Sequence, residues 1–216
     1  MTISLKEILP IPLRDKPQLQ RSEIWNQSVD LTAGEWVKVK APSGSGKTTL
    51  MHIIWQLRTD FTGTVLYDNI DAGKIKATDI ASYRQEKMSV IFQDMRLFSN
   101  LTALENIELK RTMTAKPYYE ASVINEMAAA LGVQHILPQK AATCSYGEQQ
   151  RIAIIRSLMQ PFNWLIMDEP FSHLDKENTA KAAALIATEC KKRSAGFILT
   201  DLDDDTHFTY SRQLLL

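Results

Sequence analysis

Short apolar stretches broken by polar residues dominate the first forty positions and read as strands. They are Ile3-Ser4-Leu5, Ser28-Val29-Asp30-Leu31 and Trp36-Val37-Lys38-Val39, the last two joined by a Thr32-Ala33-Gly34-Glu35 turn. Between them, Pro10, Pro12 and Pro17 mark a surface loop, because proline neither donates to a ladder nor continues a helix. The period then changes. Leu50, Ile53, Ile54 and Leu57 fall at i, i+3, i+4 and i+7, which predicts an amphipathic helix over 47–58. Thr64–Tyr67 and Met88–Phe92 predict further strands. From about 102 to 160 the pattern is helical. Thr102-Ala103-Leu104-Glu105 has the form of a capping box, and a second helix is expected over 117–131, stopped by Gly132. Trp164–Met167 and Phe197–Thr200 are unbroken apolar runs, as buried strands are. The Ala-rich segment Glu177–Lys192 between them, basic in its last turn, predicts a helix. Alternating strands and helices imply an α/β fold on a largely parallel sheet, with a helical block inserted between 93 and about 161.

Composition narrows the function classes. The 216 residues show no internal repeat, and their length suits one large core or two closely packed subdomains. With 25 basic and 25 acidic side chains the chain lacks the electrostatic footprint of a nucleic-acid binder, so no nucleic-acid partner is expected. No apolar run approaches the ~20 residues of a membrane helix, and Met1–Glu7 lacks the basic flank and long apolar stretch of a signal peptide. Cys144 and Cys190 are too isolated for a disulfide framework or a metal site; they read as packing residues in a reduced, cytoplasmic setting.

The candidate chemistry begins at Ala41-Pro42-Ser43-Gly44-Ser45-Gly46-Lys47-Thr48, between a predicted strand and a predicted helix, which is the context a phosphate-binding loop needs. Gly44 and Gly46 let backbone N–H groups turn inward around phosphate oxygens, and Lys47 supplies positive charge. The Thr48 hydroxyl is the expected magnesium ligand. Ser43, Gly44, Ser45, Gly46, Lys47, Thr48 and Thr49 form the candidate nucleotide-binding run. Further along, four apolar residues followed by Asp168-Glu169-Pro170 put two carboxylates at the carboxyl edge of the sheet, where doubly wound folds bind ligands. Beside a phosphate loop, Asp168 is a candidate magnesium ligand and Glu169 a candidate general base.

Between these two elements lies Ser145-Tyr146-Gly147-Glu148-Gln149-Gln150-Arg151. Ser145 and Glu148 form a capping box, and the positive end of a capped helix favours an anion. This stretch resembles the signature of the ATP-binding cassette (ABC) family, which usually reads Leu-Ser-Gly-Gly-Gln before Gln-Gln-Arg. Val90-Ile91-Phe92-Gln93-Asp94 resembles the family's Q-loop, and Phe171-Ser172-His173-Leu174-Asp175 its Ser-Ala-Leu-Asp loop. Asp175 also suits the N-cap of the helix that follows. Residues 95–106 resemble the version found in lipoprotein-releasing, macrolide-export and cell-division cassettes. Within them Met95, Leu97 and Phe98 are either a socket for a membrane partner or ordinary packing.

The resemblance spans roughly residues 28–202. It implies a P-loop NTPase with a mixed, mostly parallel core sheet, an N-terminal antiparallel β subdomain and an inserted α-helical subdomain. The whole chain, 1–216, would be one domain, its core from 1–92 and 162–216 and its helical part from 93–161. It further implies a subunit that binds ATP and Mg2+, pairs with a second ATP-binding subunit, and couples hydrolysis to an integral membrane permease subunit at the inner face of the cell membrane. Catalysis would fall to Glu169, Gln93 and Lys47, and magnesium to Thr48, Gln93 and Asp168. Ser145 and Gly147 would reach the γ-phosphate held by the other subunit.

Several positions depart from the family pattern. Ala41 replaces a glycine; were its backbone left-handed, the methyl would cost ~1–2 kcal/mol. Tyr146 replaces a glycine, and its bulk must point away from the phosphate. Asp201 stands where the switch histidine follows the last core strand. No aromatic residue precedes Trp25 to stack on adenine. The run Asp201, Asp203, Asp204, Asp205 reads as a solvated loop. These departures motivate an alternative: an ATP-gated dimerisation cassette with little or no hydrolysis.

Overall fold

The structure is a computed structural model that describes residues 1–14, 21–42, 44–202 and 206–216. Pro17, Ser43 and Asp203–Asp205 lie outside the described residues. The expected mixture of strand directions is distributed between two sheets. One has the order β2 (Ser28–Leu31), β1 (Ile3–Pro10), β4 (Phe61–Tyr67), β5 (Ile70–Asp71), and its pairings are antiparallel. The other has the order β6 (Met88–Ile91), β7 (Trp164–Asp168), β8 (Gly196–Asp201), β3 (Trp36–Lys40), β9 (Arg212–Leu215), and is parallel throughout. Gly34, at φ +84°, makes the tight turn that carries the chain from one sheet to the other.

Alternation along β7 and β8 divides the interior into two cores. Trp164, Ile166 and Ile198 face α1 (Lys47–Ile54) and the antiparallel sheet, in a core that also takes Ile3, Leu5, Val37, Val39 and Leu50. Leu165, Met167, Phe197 and Leu199 face the opposite side. There they pack with residues of α3 (Ala103–Arg111), α4 (Ser122–Ala130), α5 (Tyr146–Leu158) and α6 (Lys176–Arg193). Each of these fully buried aliphatic and aromatic side chains contributes roughly 1.5–3 kcal/mol. Both faces of the parallel sheet are therefore covered, which is why β7 is apolar from Trp164 to Met167 and β8 from Phe197 to Leu199. The result is an α/β fold, a parallel sheet covered on both faces beside a separate antiparallel sheet. Both cysteines are buried, and burial pushes both thiols up, that of Cys190 to about 12, as inert packing groups require.

Several boundaries differ from the sequence expectation. The first helix runs Lys47–Ile54 and not to 58. Gln56 adopts φ +55°, the Tyr67 hydroxyl donates to the carbonyl of Ile54, and Arg84 donates to those of Trp55 and Gln56. Side chains from elsewhere thus take the last carbonyls, and Leu57 is left 45% exposed. The helix expected over 117–131 starts at Ser122, because Tyr118 and Tyr119 pack instead on the end of α6 around Arg193. It stops at Ala130, with Gly132 at φ +67°. Strand β1 is longer than Ile3–Leu5 and includes Pro10, which pairs with Phe61 of β4 beyond the reach of β2. Helix α2 (Ala77–Glu86) was not expected, since Ile80 is its only buried residue and it has no apolar stripe. The short strands β5 and β9 carry too few residues for a period to be read.

Candidate nucleotide site

The loop between β3 and α1 folds around its two glycines. Gly44 has φ +78° and Gly46 φ +105°, conformations that side-chain-bearing residues rarely adopt. Gly46 is also confined: a Cβ there would lie 2.7 Å from Leu13 Cδ1 and 3.1 Å from Trp25 Cζ2. Trp25, only 1% exposed, donates from Nε1 to the Ser45 carbonyl at 3.1 Å, while Ser45 Oγ donates to the Pro42 carbonyl at 2.8 Å. The sequence marked Trp25 only as the first aromatic residue of the chain, with no ring before it to stack on adenine. It is a core residue that braces the loop from beneath. Ala41 is not left-handed, so the expected backbone cost does not arise; its N–H donates to the Asp201 carbonyl at 3.0 Å. Gly46 caps α1 with no side-chain bond, which leaves the positive helix end facing the loop.

Opposite the loop stands the end of β7. Asp168 is 2% exposed and accepts two hydroxyl hydrogen bonds at 2.8 Å, from Thr48 on Oδ2 and from Thr200 on Oδ1. Glu169 takes φ +46° as the strand turns away, and its N–H donates to the Thr200 carbonyl. Its carboxylate lies between Lys47 Nζ, 3.0 Å from Oε1, and Gln93 Nε2, which donates to Oε2 at 3.0 Å. Lys47 also donates to the Ala41 carbonyl at 3.0 Å. Gly44, Gly46, Lys47, Thr48, Thr49, Gln93 and Glu169 line one cleft of about 370 Å³, walled on one side by Leu13. A neighbouring cleft of about 300 Å³ is lined by Thr48, Gln93 and Asp168, with His52 and Arg96 at its edge. His52 is held below its ordinary value by burial and then by Arg96, so it is neutral near pH 7.

Ser145 and Gly147 line neither cleft. Ser145 caps α5 in a reciprocal capping box with Glu148: Ser145 N–H donates to Oε2 at 2.8 Å, and Glu148 N–H donates to Ser145 Oγ at 3.4 Å. Tyr146 turns outward, 69% exposed, its ring 5.4 Å from that of His173. Gly147 admits the loop after β7, since a Cβ would come 2.9 Å from the His173 carbonyl oxygen. The link between this helix and the acidic strand end is Gln150, fully buried. It donates to the Glu169 carbonyl at 3.3 Å and accepts from His173 N–H at 2.9 Å. Only its place in the Gln149-Gln150 pair marked it in the sequence. Asp175 caps α6 through Asn178 N–H at 2.8 Å. Met95 is core-buried, Leu97 packs partly against the core, and Phe98 is 59% exposed, so the three do not form one surface.

A glycine-turned loop between strand and helix, facing an acidic strand end on a parallel sheet, defines a P-loop nucleotide-binding protein. Known proteins narrow the class. A family model described as ABC transporter matches residues 24–172. The ABC transporter ATP-binding protein YxdL of Bacillus subtilis (strain 168) is 31% identical over 177 residues, 82% of this chain and 69% of that protein. The lipoprotein-releasing system ATP-binding protein LolD 2 of Chlorobaculum tepidum is 32% identical over 196 residues, 86% of this chain and 78% of that protein. Among solved structures, the dimeric bacterial ABC transporter cassette MJ0796 superposes with TM-score 0.80 at 26% identity, covering 93% of this chain and 88% of its own. Its post-hydrolysis form bound to ADP and Pi gives 0.78. The chain belongs to the ABC transporter family and is one of its ATP-binding cassettes.

Proposed function

We propose that this chain is the ATP-hydrolysing subunit of an ABC transporter, pairing with a second cassette and driving an integral membrane permease subunit. The observation that carries the reading is the convergence of Lys47, Thr48, Gln93, Asp168 and Glu169 on adjoining clefts. In this account Gly44, Ser45, Gly46 and Thr49 hold phosphate oxygens through backbone and hydroxyl groups, together with Ser43. Lys47 leaves Glu169 for the phosphates, an exchange of one anionic partner for another.

Magnesium has a fitting donor set. Thr48 Oγ1 and Asp168 Oδ2 are hard oxygens 2.8 Å apart, and Gln93 lines the same cleft. Among the described residues no cluster of three His, Cys, Asp or Glu forms an all-protein cage. Magnesium does not require one, because it is commonly held by one or two protein oxygens plus substrate phosphates. Bound there it would offset charge on the outer phosphates. Glu169, freed from Lys47, accepts the proton of the attacking water, and Gln93 orients that water. Ser145 and Gly147 present the N-terminus of α5 to the γ-phosphate held by the other subunit.

No helix among the described residues is long and apolar enough to cross a membrane, so attachment at the membrane's inner face would come through the permease. Asp201 favours a second reading, ATP-gated closure with little turnover. An anionic side chain at the switch position supplies no donor to the γ-phosphate, and one lost transition-state contact costs about 10²–10³ in rate. Phosphate release by the purified chain, alone and with its membrane subunit, decides between them. Turnover that Glu169→Gln abolishes supports the hydrolytic reading. Nucleotide-dependent pairing with no release above that variant in either setting supports gating alone, and no ATP binding defeats both.

A further inference from the structure

Three residues in or beside the site carry side chains yet take left-handed backbone: Glu169 at φ +46°, Met95 at +57° and Arg96 at +50°. That conformation is costly for any residue but glycine, and it persists only where surrounding groups hold it. The carbonyls of all three accept hydrogen bonds from one helix, α5. Gln150 Nε2 donates to that of Glu169 at 3.3 Å, Arg156 Nη1 to that of Arg96 at 2.7 Å, and Arg156 Nη2 to that of Met95.

The hold of Arg156 bears on Gln93, which lies inside the turn it grips. The Met95 N–H donates to the Phe92 carbonyl at 2.9 Å, and the Arg96 N–H to that of Asp94. Arg96 packs its guanidinium 3.8 Å over the Phe92 ring and bridges to Asp94 at 3.2 Å. Gln93 leaves this turn toward Glu169, to which its Nε2 donates at 3.0 Å. Neither Met95 nor Arg96 favours the left-handed region by itself, as Gly or Asn would. One guanidinium fork spans both carbonyls, a geometry that a lysine ammonium lacks. Burial holds Arg156 down to about 10, so it is still charged at pH 7. A charged donor bonds a carbonyl roughly twice as strongly as a neutral one. Arg156 lines neither nucleotide cleft, so whatever it does there it does through the turn.

We infer that Arg156 is a positioning residue for hydrolysis: by fixing the left-handed pair Met95-Arg96 it sets the direction in which Gln93 leaves the turn, and so where Gln93 meets Glu169. Gln150 holds the turn after β7 in the same way, so the spacing of the two groups is set from one rigid helix. The inference rests on the hydrolytic reading of the site and adds to it a residue that never touches the nucleotide.

Arg156→Lys keeps the charge and loses the fork. In steady-state ATP hydrolysis by the full chain it should lower kcat at least roughly ten-fold, while KM for Mg-ATP stays within about two-fold. In a Gln93→Ala background the same change should cost nothing further, because its route is already cut. A residue that merely supports the fold lowers kcat by the same factor in both backgrounds; that result overturns the inference, as does an unchanged kcat. A second pair of variants leaves Arg156 untouched. Arg96→Gly and Arg96→Val both lose the guanidinium from Phe92, but only glycine accepts the left-handed backbone freely. The valine variant should fall at least roughly five-fold below the glycine variant in kcat. Equal rates overturn the inference even if Arg156→Lys does not fold. The Gln93 side-chain amide signals in an NMR spectrum, identified by their loss in Gln93→Ala, need no turnover at all. They should shift or broaden in Arg156→Lys while those of Gln150 stay in place, and unchanged Gln93 signals overturn the inference. Wild type that binds ATP and releases no phosphate sinks the hydrolytic reading, and the spectrum then still decides whether Arg156 aims Gln93.

Discussion

Replacing Trp25 by Phe removes the brace beneath the phosphate loop while leaving an aromatic ring in the core. Two losses follow. The Ser45 carbonyl loses the Nε1–H donor at 3.1 Å, and a buried acceptor left unpaired costs ~1–3 kcal/mol. The missing part of the indole, which is 1% exposed and packs 3.1 Å from where a Gly46 Cβ would lie, leaves a void worth ~1–2 kcal/mol. Together they amount to about 3 kcal/mol, and for a chain of this size each kcal/mol lowers Tm by roughly 2–4 °C. The expected drop is therefore about 6–12 °C in a calorimetric melt. The same change should reach function, because the freed carbonyl belongs to the loop itself. If half the loss is felt when phosphate binds, Kd for Mg-ATP rises about ten-fold. Isothermal titration at a temperature where both proteins are folded reads this directly. A variant that melts within a degree or two of wild type refutes the brace. A destabilised variant with unchanged ATP affinity refutes the link from brace to loop.

Further expectations concern other contacts. Gln150→Met should cost about 2 kcal/mol in a urea titration by breaking the bonds to Glu169 and His173; an unchanged midpoint would show that these bonds do not carry α5. Glu189→Leu should cost about 3–5 kcal/mol, since it strands Arg193 from a buried partner at 2.7 Å and the Tyr119 hydroxyl from its acceptor; denaturation reads it, and a neutral effect would contradict the pairing. Hydrogen bonds from the Ser145 N–H and hydroxyl hold the Glu148 carboxyl below its ordinary 4.5. Because the folded value is the lower one, its stabilisation is complete above 4.5 and fades as pH falls through the folded value. The stability gap between wild type and Glu148→Gln should thus be flat from pH 7 to about 5.5 and shrink below it; a gap that widens in acid would invert the sign.

The site was more legible than the elements around it. Loop, acidic strand end and signature are compact strings whose residue types the chemistry dictates, so Lys47, Thr48, Gln93, Asp168 and Glu169 could be chosen before their contacts were seen. Trp25 could not, because it meets Ser45 from twenty residues away and nothing local marks the contact. Helix ends were misjudged where distant side chains intervene: Arg84 and Tyr67 stop α1, and Arg193 draws Tyr118 and Tyr119 away from α4. Helix α2 was silent because a surface helix with one buried residue has no stripe to read. The hold of Arg156 on Met95 and Arg96 was hidden as Trp25 was, because about sixty residues separate the partners.

The central claim is that ATP bound at the loop of one copy is closed over by the signature of another. Analytical ultracentrifugation of Glu169→Gln with saturating Mg-ATP tests it most directly, since that variant should trap the closed state. A shift from monomer to dimer with ATP, absent with ADP and lost when Ser145→Ala and Gly147→Ala are added, is the predicted result. A chain that binds ATP and remains monomeric at every concentration tested would contradict it.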